Sequence, residues 1–322
     1  MAESPSSAGS FDSNAAIRAA RRFYLEDRSK VEIAKELGIS RFKVARLLET
    51  ARERGLVKIT IADDGAPDDA RSARLADALG LERALVVTAS GTNTEMRTVV
   101  GRAAATFLSS SLVDGEVLGM GWGRTLSAMA AAIEALPAVS VVQMTGATQL
   151  TGDLSPIEIV RLLEQHVGQA VVPIFAPLIA DDAATASVFR RQSEIARALA
   201  MHDRVTTAVM SFGSWDPSVS QLAQATEPSL RAQLADRGVV AEIGVTLIDA
   251  EGREVAPDFS ERCVAVTAKQ LRAIPRVIGV AAGPAKGIAA VALAKAGLIT
   301  ELVVDADLAD EALRIVQAAS AR

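Results

Sequence analysis

In the stretch GMGWGRT, residues 119–125, glycine recurs at 119, 121 and 123 around Trp122, and Arg124 and Thr125 follow. Glycine permits positive φ and close approach of the backbone to a ligand, so amide N–H groups there can converge on one anion. Arg124 adds a charge and Thr125 a hydroxyl. A helix beginning at this point would aim the positive end of its dipole at the same spot. This is chemistry for holding a phosphate or a polyhydroxyl compound. The spacing is not G-x-G-x-x-G, because Thr125 and Leu126 follow Gly123, and it is not a P-loop, which needs Gly-Lys-Ser/Thr. No nucleotide cofactor is expected, nor any other cofactor.

Three more polar turns follow apolar runs. Gln143-Met144-Thr145-Gly146-Ala147-Thr148 is one, and Phe212-Gly213-Ser214-Trp215 is another. The third, Ala281-Ala282-Gly283-Pro284-Ala285-Lys286, places Lys286 in the first turn of a helix. A cation there opposes the dipole, which suits an anionic ligand better than it suits stability. Asp249 lies just beyond the run Val245–Ile248 and could accept hydroxyl protons, although Asp-Ala-Glu-Gly would equally make an ordinary β-turn. Four such turns describe one ligand crevice more economically than four separate corners. Catalysis would need a general base. His166 and His202 fall at no strand end and no carboxylate pair flanks the glycine motif, leaving Asp249 as the single candidate. Binding without turnover is therefore expected, with a sugar-phosphate isomerase or deaminase fused to a DNA-binding head as the alternative. Two histidines and one cysteine, Cys263, cannot build a zinc cluster at usual spacings. A single cysteine also excludes an internal disulfide and fits a reducing, cytoplasmic compartment.

The elements that must position these turns are legible in the hydrophobic pattern. Apolar runs at 84–87, 116–120, 139–144, 171–174, 206–212, 242–248, 277–281 and 301–304 read as strands. Helical stretches lie between most of them, at 72–79, 93–110, 126–136, 156–167, 186–200, 229–237, 268–272, 285–296 and 308–319. This alternation predicts an α/β domain over residues 72–322, a doubly wound and mostly parallel sheet covered on both faces. Ligands of such sheets bind beyond the carboxyl ends of the strands, where GMGWGRT falls.

The N-terminal part is different. Residues 1–61 hold 12 Lys and Arg against 8 Asp and Glu, whereas the rest of the chain holds 22 against 31. A basic piece on an acidic body suits contact with a polyanion through that piece alone. Residues 1–12 read as a disordered tail, and 13–26 as a helix with Ile17, Ala20, Tyr24 and Leu25 near one stripe. Ser29 and Glu32 form a capping-box pattern, Gly38 stops that helix, and Ser40 caps the next one from Arg41 to about Arg54. Two helices joined by a short glycine turn, after a supporting helix, form a helix-turn-helix. Its second helix leaves Arg41, Phe42, Lys43 and Arg46 outward near its start, where a recognition helix meets bases and phosphates. Ser29 and Ser40 join them as candidate DNA contacts. An extended wing at 56–61 closes this domain, residues 13–61, and the acidic ADDGAPDDAR at 62–71 reads as a linker. No apolar run is long enough to span a membrane.

The segment EIAKELGISRFKVARLLETARERGLVKITI is similar to the DNA-binding head of the SorC/DeoR-type sugar-binding transcriptional regulators. VGRAAATFLSSSLVDGEVLGMGWGRTLSAMA, VVQMTGAT, SPIEIVRLL, IFAPLIA and AAGPAKGIAAVALAKAGLITELVVD occur in that family's order, so the resemblance covers nearly the whole chain. It implies a body related to sugar-phosphate isomerases and deaminases but kept for sensing. It implies a sugar, polyol or sugar phosphate held by Gly121, Gly123, Arg124 and Thr125, with Gly146, Asp249 and Lys286 nearby; Trp122 and Gln143, in the same turns, complete the candidate set. It implies a regulator, expected to be a repressor, of a carbohydrate or polyol operon. Its partners would be operator DNA, the small effector and further copies of itself, as a dimer or tetramer.

Overall fold

The computed structural model describes residues 13–57, 65–148 and 154–320. The chain forms two compact units, Met1–Ala62 and Asp63–Arg322.

The first unit contains helices α1 (Ser13–Tyr24), α2 (Lys30–Leu37) and α3 (Arg41–Glu53). Ser29 starts α2 with a full capping box: the Glu32 amide donates to Ser29 Oγ at 3.3 Å and the Ser29 amide donates to Glu32 Oε2 at 2.9 Å. Gly38 then takes φ 65°, the left-handed conformation that releases the chain from α2. Ser40 Oγ accepts from the Lys43 amide and starts α3. The small Ala16, Ala19 and Ala34 pack with Ile33, Val44 and Leu48 in this unit's core. The expected stripe on α1 is corrected in part: Ala20 and Tyr24 meet the core, and Ile17 and Leu25 do not. Ala16, Ala19 and Ala20 face the core, while Ile17 is 41% and Leu25 75% exposed. The small alanines permit close helix crossing, and Phe23 and Tyr24 pack half-buried against the same core. Of the expected wing, residues 58–61 lie outside the described residues, as do the tail 1–12 and residues 62–64 of the linker.

The second unit carries α4 (Asp69–Leu79), β1 (Arg83–Val87), α5 (Asn93–Ser109), β2 (Val117–Met120), α6 (Arg124–Ala132), β3 (Ser140–Gln143), α7 (Pro156–Glu164) and β4 (Val171–Val172). Next come β5 (Thr207–Ser214), β6 (Ala241–Ile243), β7 (Thr246–Ile248), β8 (Glu254–Val255), β9 (Arg276–Ala281) and β10 (Glu301–Asp305). Seven strands are parallel in the order β1-β10-β9-β5-β2-β3-β4, and β6, β7 and β8 extend from β5 as an antiparallel meander. Alternate residues serve opposite faces, as the period of two demands. Leu118, Val141 and Val303 pack into one core layer, and Val117, Val142 and Val304 into the other. Both faces are covered, so the strands read as continuous apolar runs.

The differences from the sequence reading have local causes. The expected single strand 242–248 is a hairpin, because Gly244 and Val245 turn the chain between β6 and β7. The expected helix 186–200 is two helices, Ala183–Arg191 and Ser193–Met201, broken at Gln192 with extended φ −63° and ψ 133°. Asp68 caps α4, so the helix begins three residues before Ser72. The Asp68 amide also donates to the Val86 carbonyl, which ties the last residues of the expected linker to this unit.

Candidate functional site

Strand β2 sits between β5 and β3. From β2 the chain runs outward through β3 and β4, then returns to β5 on the other side of β2. The order therefore reverses at the β2–β5 boundary, where open α/β sheets leave a crevice beyond the strand ends.

GMGWGRT occupies this boundary, and its three glycines do different things. A Cβ on Gly119 would lie 2.6 Å from Met144 Sδ, and one on Gly121 3.0 Å from both the Val209 carbonyl and Met210 Sδ. These two glycines let neighbouring strands and loops close up. The Gly121 amide donates to the Val209 carbonyl at 2.8 Å, so it is not one of the amides turned to an anion, contrary to the expectation of successive converging N–H groups. Gly123 is the conformational one, with φ 141° and ψ 161°. It is the N-cap of α6 and supplies no side-chain cap, so the first amides of that helix depend on acceptors from outside it. Ser211 Oγ on β5 donates to the Trp122 carbonyl at 2.7 Å and holds the loop.

A small cleft opens here, with a cavity volume of about 30 Å³. Trp122, Arg124 and Thr125 line it from the glycine loop, and Lys286 lines it from the 3₁₀ turn Pro284–Lys286. The structure adds residues that the sequence reading missed. Arg97 enters from α5, Ser211 from β5, Gln221 from the helix Gln221–Ala225, and Glu242 and Gly244 from the β6–β7 hairpin. Arg97 is the fifth residue of α5, beyond the first turn, so the argument applied to Lys286 does not reach it. Glu242, a lone carboxylate in the apolar run VVAEIGVTLI, was a signal the sequence did carry.

Five expected site residues do not line this cleft: Gly121 and Gly123 of the loop, and Gln143, Gly146 and Asp249. The Gln143 side chain is fully buried, with Nε2 donating to the Thr145 carbonyl and Oε1 accepting from the Ile174 amide. Gly146 is a packing glycine, since a Cβ there would lie 2.7 Å from the Pro177 carbonyl. Asp249 closes its own turn. Its Oδ1 accepts from the Glu251 and Arg253 amides, its Oδ2 from Arg253 Nε, and the Gly252 amide donates to its carbonyl. The ordinary β-turn accounts for it.

Three cations and one carboxylate thus converge in the cleft. Burial pushes the Glu242 carboxyl up to about 7, against the opposing pull of the Ser220 hydroxyl and of Lys286. Burial also pushes the Lys286 ammonium down to about 8. Arg97 and Arg124 add to that effect, and Glu242 and Asp305 oppose it. A buried ammonium beside two guanidinium groups is stabilised by an incoming anion. Among the described residues, no cluster of His, Cys, Asp and Glu could hold a metal ion.

The raised Glu242 pKa makes stability depend on pH. The folded chain holds this proton more tightly than the unfolded chain, so the contribution is complete below the ordinary carboxyl value of 4.5 and is lost as pH rises through about 7. At about 1.4 kcal/mol per unit, the loss is roughly 3 kcal/mol. His202, whose buried ring titrates below 6.5, has the opposite slope. The comparison with Glu242→Gln isolates the carboxyl: thermal melts without ligand from pH 5 to 8 should show the variant gaining stability relative to wild type as pH rises. Parallel curves would show that Glu242 titrates in its ordinary range.

The family model Sugar-bind, described as "Putative sugar-binding domain", matches residues 67–314. The chain is 28% identical over 311 residues to the uncharacterized transcriptional regulator YjhU of Escherichia coli K12, covering 93% of this chain and 94% of that protein. It is 26% identical to the deoxyribonucleoside regulator of Bacillus subtilis, over 84% of this chain and 88% of the relative. The full-length sorbitol operon regulator SorC of Klebsiella pneumoniae superposes with a TM-score of 0.70 at 22% identity, over 94% of this chain and 99% of that one.

Proposed function

The chain belongs to the Sugar-bind family of SorC/DeoR-type transcriptional regulators, and on that premise we propose that it senses a phosphorylated sugar or polyol and adjusts its grip on operator DNA accordingly. The observation that carries the effector class is the meeting of Arg97, Arg124 and Lys286 at the start of α6. A dianionic phosphate matches three cations and a helix N-terminus. Glu242, Gln221 and Ser211 supply acceptors and donors for hydroxyl groups.

The head supports DNA reading through the outward face of α3, where Arg41, Phe42, Lys43 and Arg46 are all exposed. Helices α2, α5 and α7 each place Glu three residues after a Ser or Thr cap, whereas α3 places Lys43 there and has no acidic residue in its first turn. That choice weakens the isolated helix and favours a polyanion. Ser40 retains a hydroxyl proton for a phosphate, while the Ser29 hydroxyl donates to Glu32 in its own box. One head covers a short half-site, so the working species is at least a dimer, and a tetramer accords with the resemblance. Among the described residues, no helix is long and apolar enough to cross a membrane, and the proposed site of action is the cytoplasm.

A thermal-shift screen of sugar phosphates, polyol phosphates and their unphosphorylated parents tests the effector class. Phosphate esters should raise the melting temperature while their parents do not. Stabilisation by parents alone would overturn the assignment of the three cations to a phosphate. Arg46→Ala should weaken binding to a selected operator about tenfold or more and flatten its salt dependence, leaving the effector shift intact. Unchanged DNA affinity in a fluorescence anisotropy titration would remove Arg46 from the DNA-binding face.

A further inference from the structure

Phe42 is the second residue of α3 and is 75% exposed, whereas Val44, Leu47 and Leu48 of the same helix are buried. The ring contributes nothing to the head's core and leaves apolar surface in water. It is not unattended: the Arg41 guanidinium lies 5.2 Å from its centroid, within the range of a cation–π contact. Arg41 and Lys43 on either side present positive charge to the same surface.

If this helix end enters a major groove, its first residues meet base edges. A phenyl ring has no hydrogen bond to offer there. The apolar feature it can cover is the thymine 5-methyl group, which cytosine, adenine and guanine lack. We propose that Phe42 sets a thymine preference at one position of each operator half-site, by burying that methyl against a ring held in place by Arg41. This rests on the reading of the head as DNA-binding and adds the base and the chemical group read.

The full chain is first used to enrich duplexes from a random pool, and the enriched duplex is resynthesised with each thymine replaced in turn by deoxyuridine, which removes the methyl alone. Wild type should lose affinity about fourfold per half-site at one thymine, the factor expected for one buried methyl. Phe42→Ala should bind the parent duplex more weakly and be indifferent to the same replacement, while Phe42→Leu retains part of the discrimination. Because the side chain is exposed, both variants should melt with wild type, which a thermal scan verifies. Two results overturn the proposal alone: wild type indifferent to every replacement, or Phe42→Ala as sensitive as wild type. Failure of wild type to enrich any sequence would overturn the DNA-binding reading itself, and this inference with it.

Discussion

A chain carrying Arg124→Ala and Thr125→Val is expected to show no thermal response to the sugar phosphate that stabilises wild type. Both residues line the cleft at the start of α6, and Thr125 is 2% exposed. Hydrogen bonds to a charged group contribute roughly 1.5–3 kcal/mol each, so their joint loss should weaken binding a hundredfold or more. At a ligand concentration about 100 times the wild-type Kd, binding stabilises the fold by about 2.7 kcal/mol, and that raises the melting temperature of a domain this size by roughly 5–10 °C. The variant at the same concentration should move by about 1 °C or less. Valine preserves the volume of Thr125, so the ligand-free fold is retained and DNA affinity without effector stays near wild type. A full shift in the variant would place the effector elsewhere.

Gly123→Ala should have the larger effect on the fold itself. At φ 141° and ψ 161° the residue occupies a region open essentially to glycine alone. A Cβ would lie 2.3 Å from Ser211 Oγ and 2.9 Å from Ser211 Cβ. Backbone strain of about 1–3 kcal/mol and overpacking of about 1–3 kcal/mol together predict a loss of several kcal/mol. A circular dichroism melt should show a fall of about 5–10 °C or more. The Ser211→Gly change in the same chain removes both clashing atoms and should restore the overpacking part but not the strain. Because Ser211→Gly also removes the hydrogen bond to the Trp122 carbonyl, the reference is Ser211→Gly alone. Gly123→Ala costing as much in that chain as in wild type would mean that the conformation at 123, and not the proximity of β5, dominates.

Much of this architecture was legible because local chemistry and tertiary packing agree. The Ser29–Glu32 box, the left-handed Gly38 and the Ser40 cap fix α2 and α3 within a few residues, so the helix-turn-helix could be read directly. The buried parallel strands betray themselves as apolar runs. Where a decision depended on distant partners, the sequence reading fell short. Gly146 was assigned to a ligand, yet its missing side chain accommodates the carbonyls of Ala176 and Pro177 from another loop. Asp249 has the chemistry of a hydroxyl acceptor, but Arg253 and its own turn engage both oxygens. Glu242 was absorbed into a supposed continuous strand. The antiparallel pairing of β6 with β5, which sets Glu242 opposite Gly213, brings it to the cleft.

The β6–β7 hairpin also bears on when the site comes into existence. Arg97, Arg124, Ser211, Glu242 and Lys286 belong to segments spread along nearly the whole second unit, and they meet only after widely separated stretches have closed on one another. Such non-local closure is the slow part of folding. A metabolite therefore meets no finished receptor on a half-folded or nascent chain, and cannot speed its maturation. It acts as a brake on unfolding, lengthening the lifetime of chains already complete.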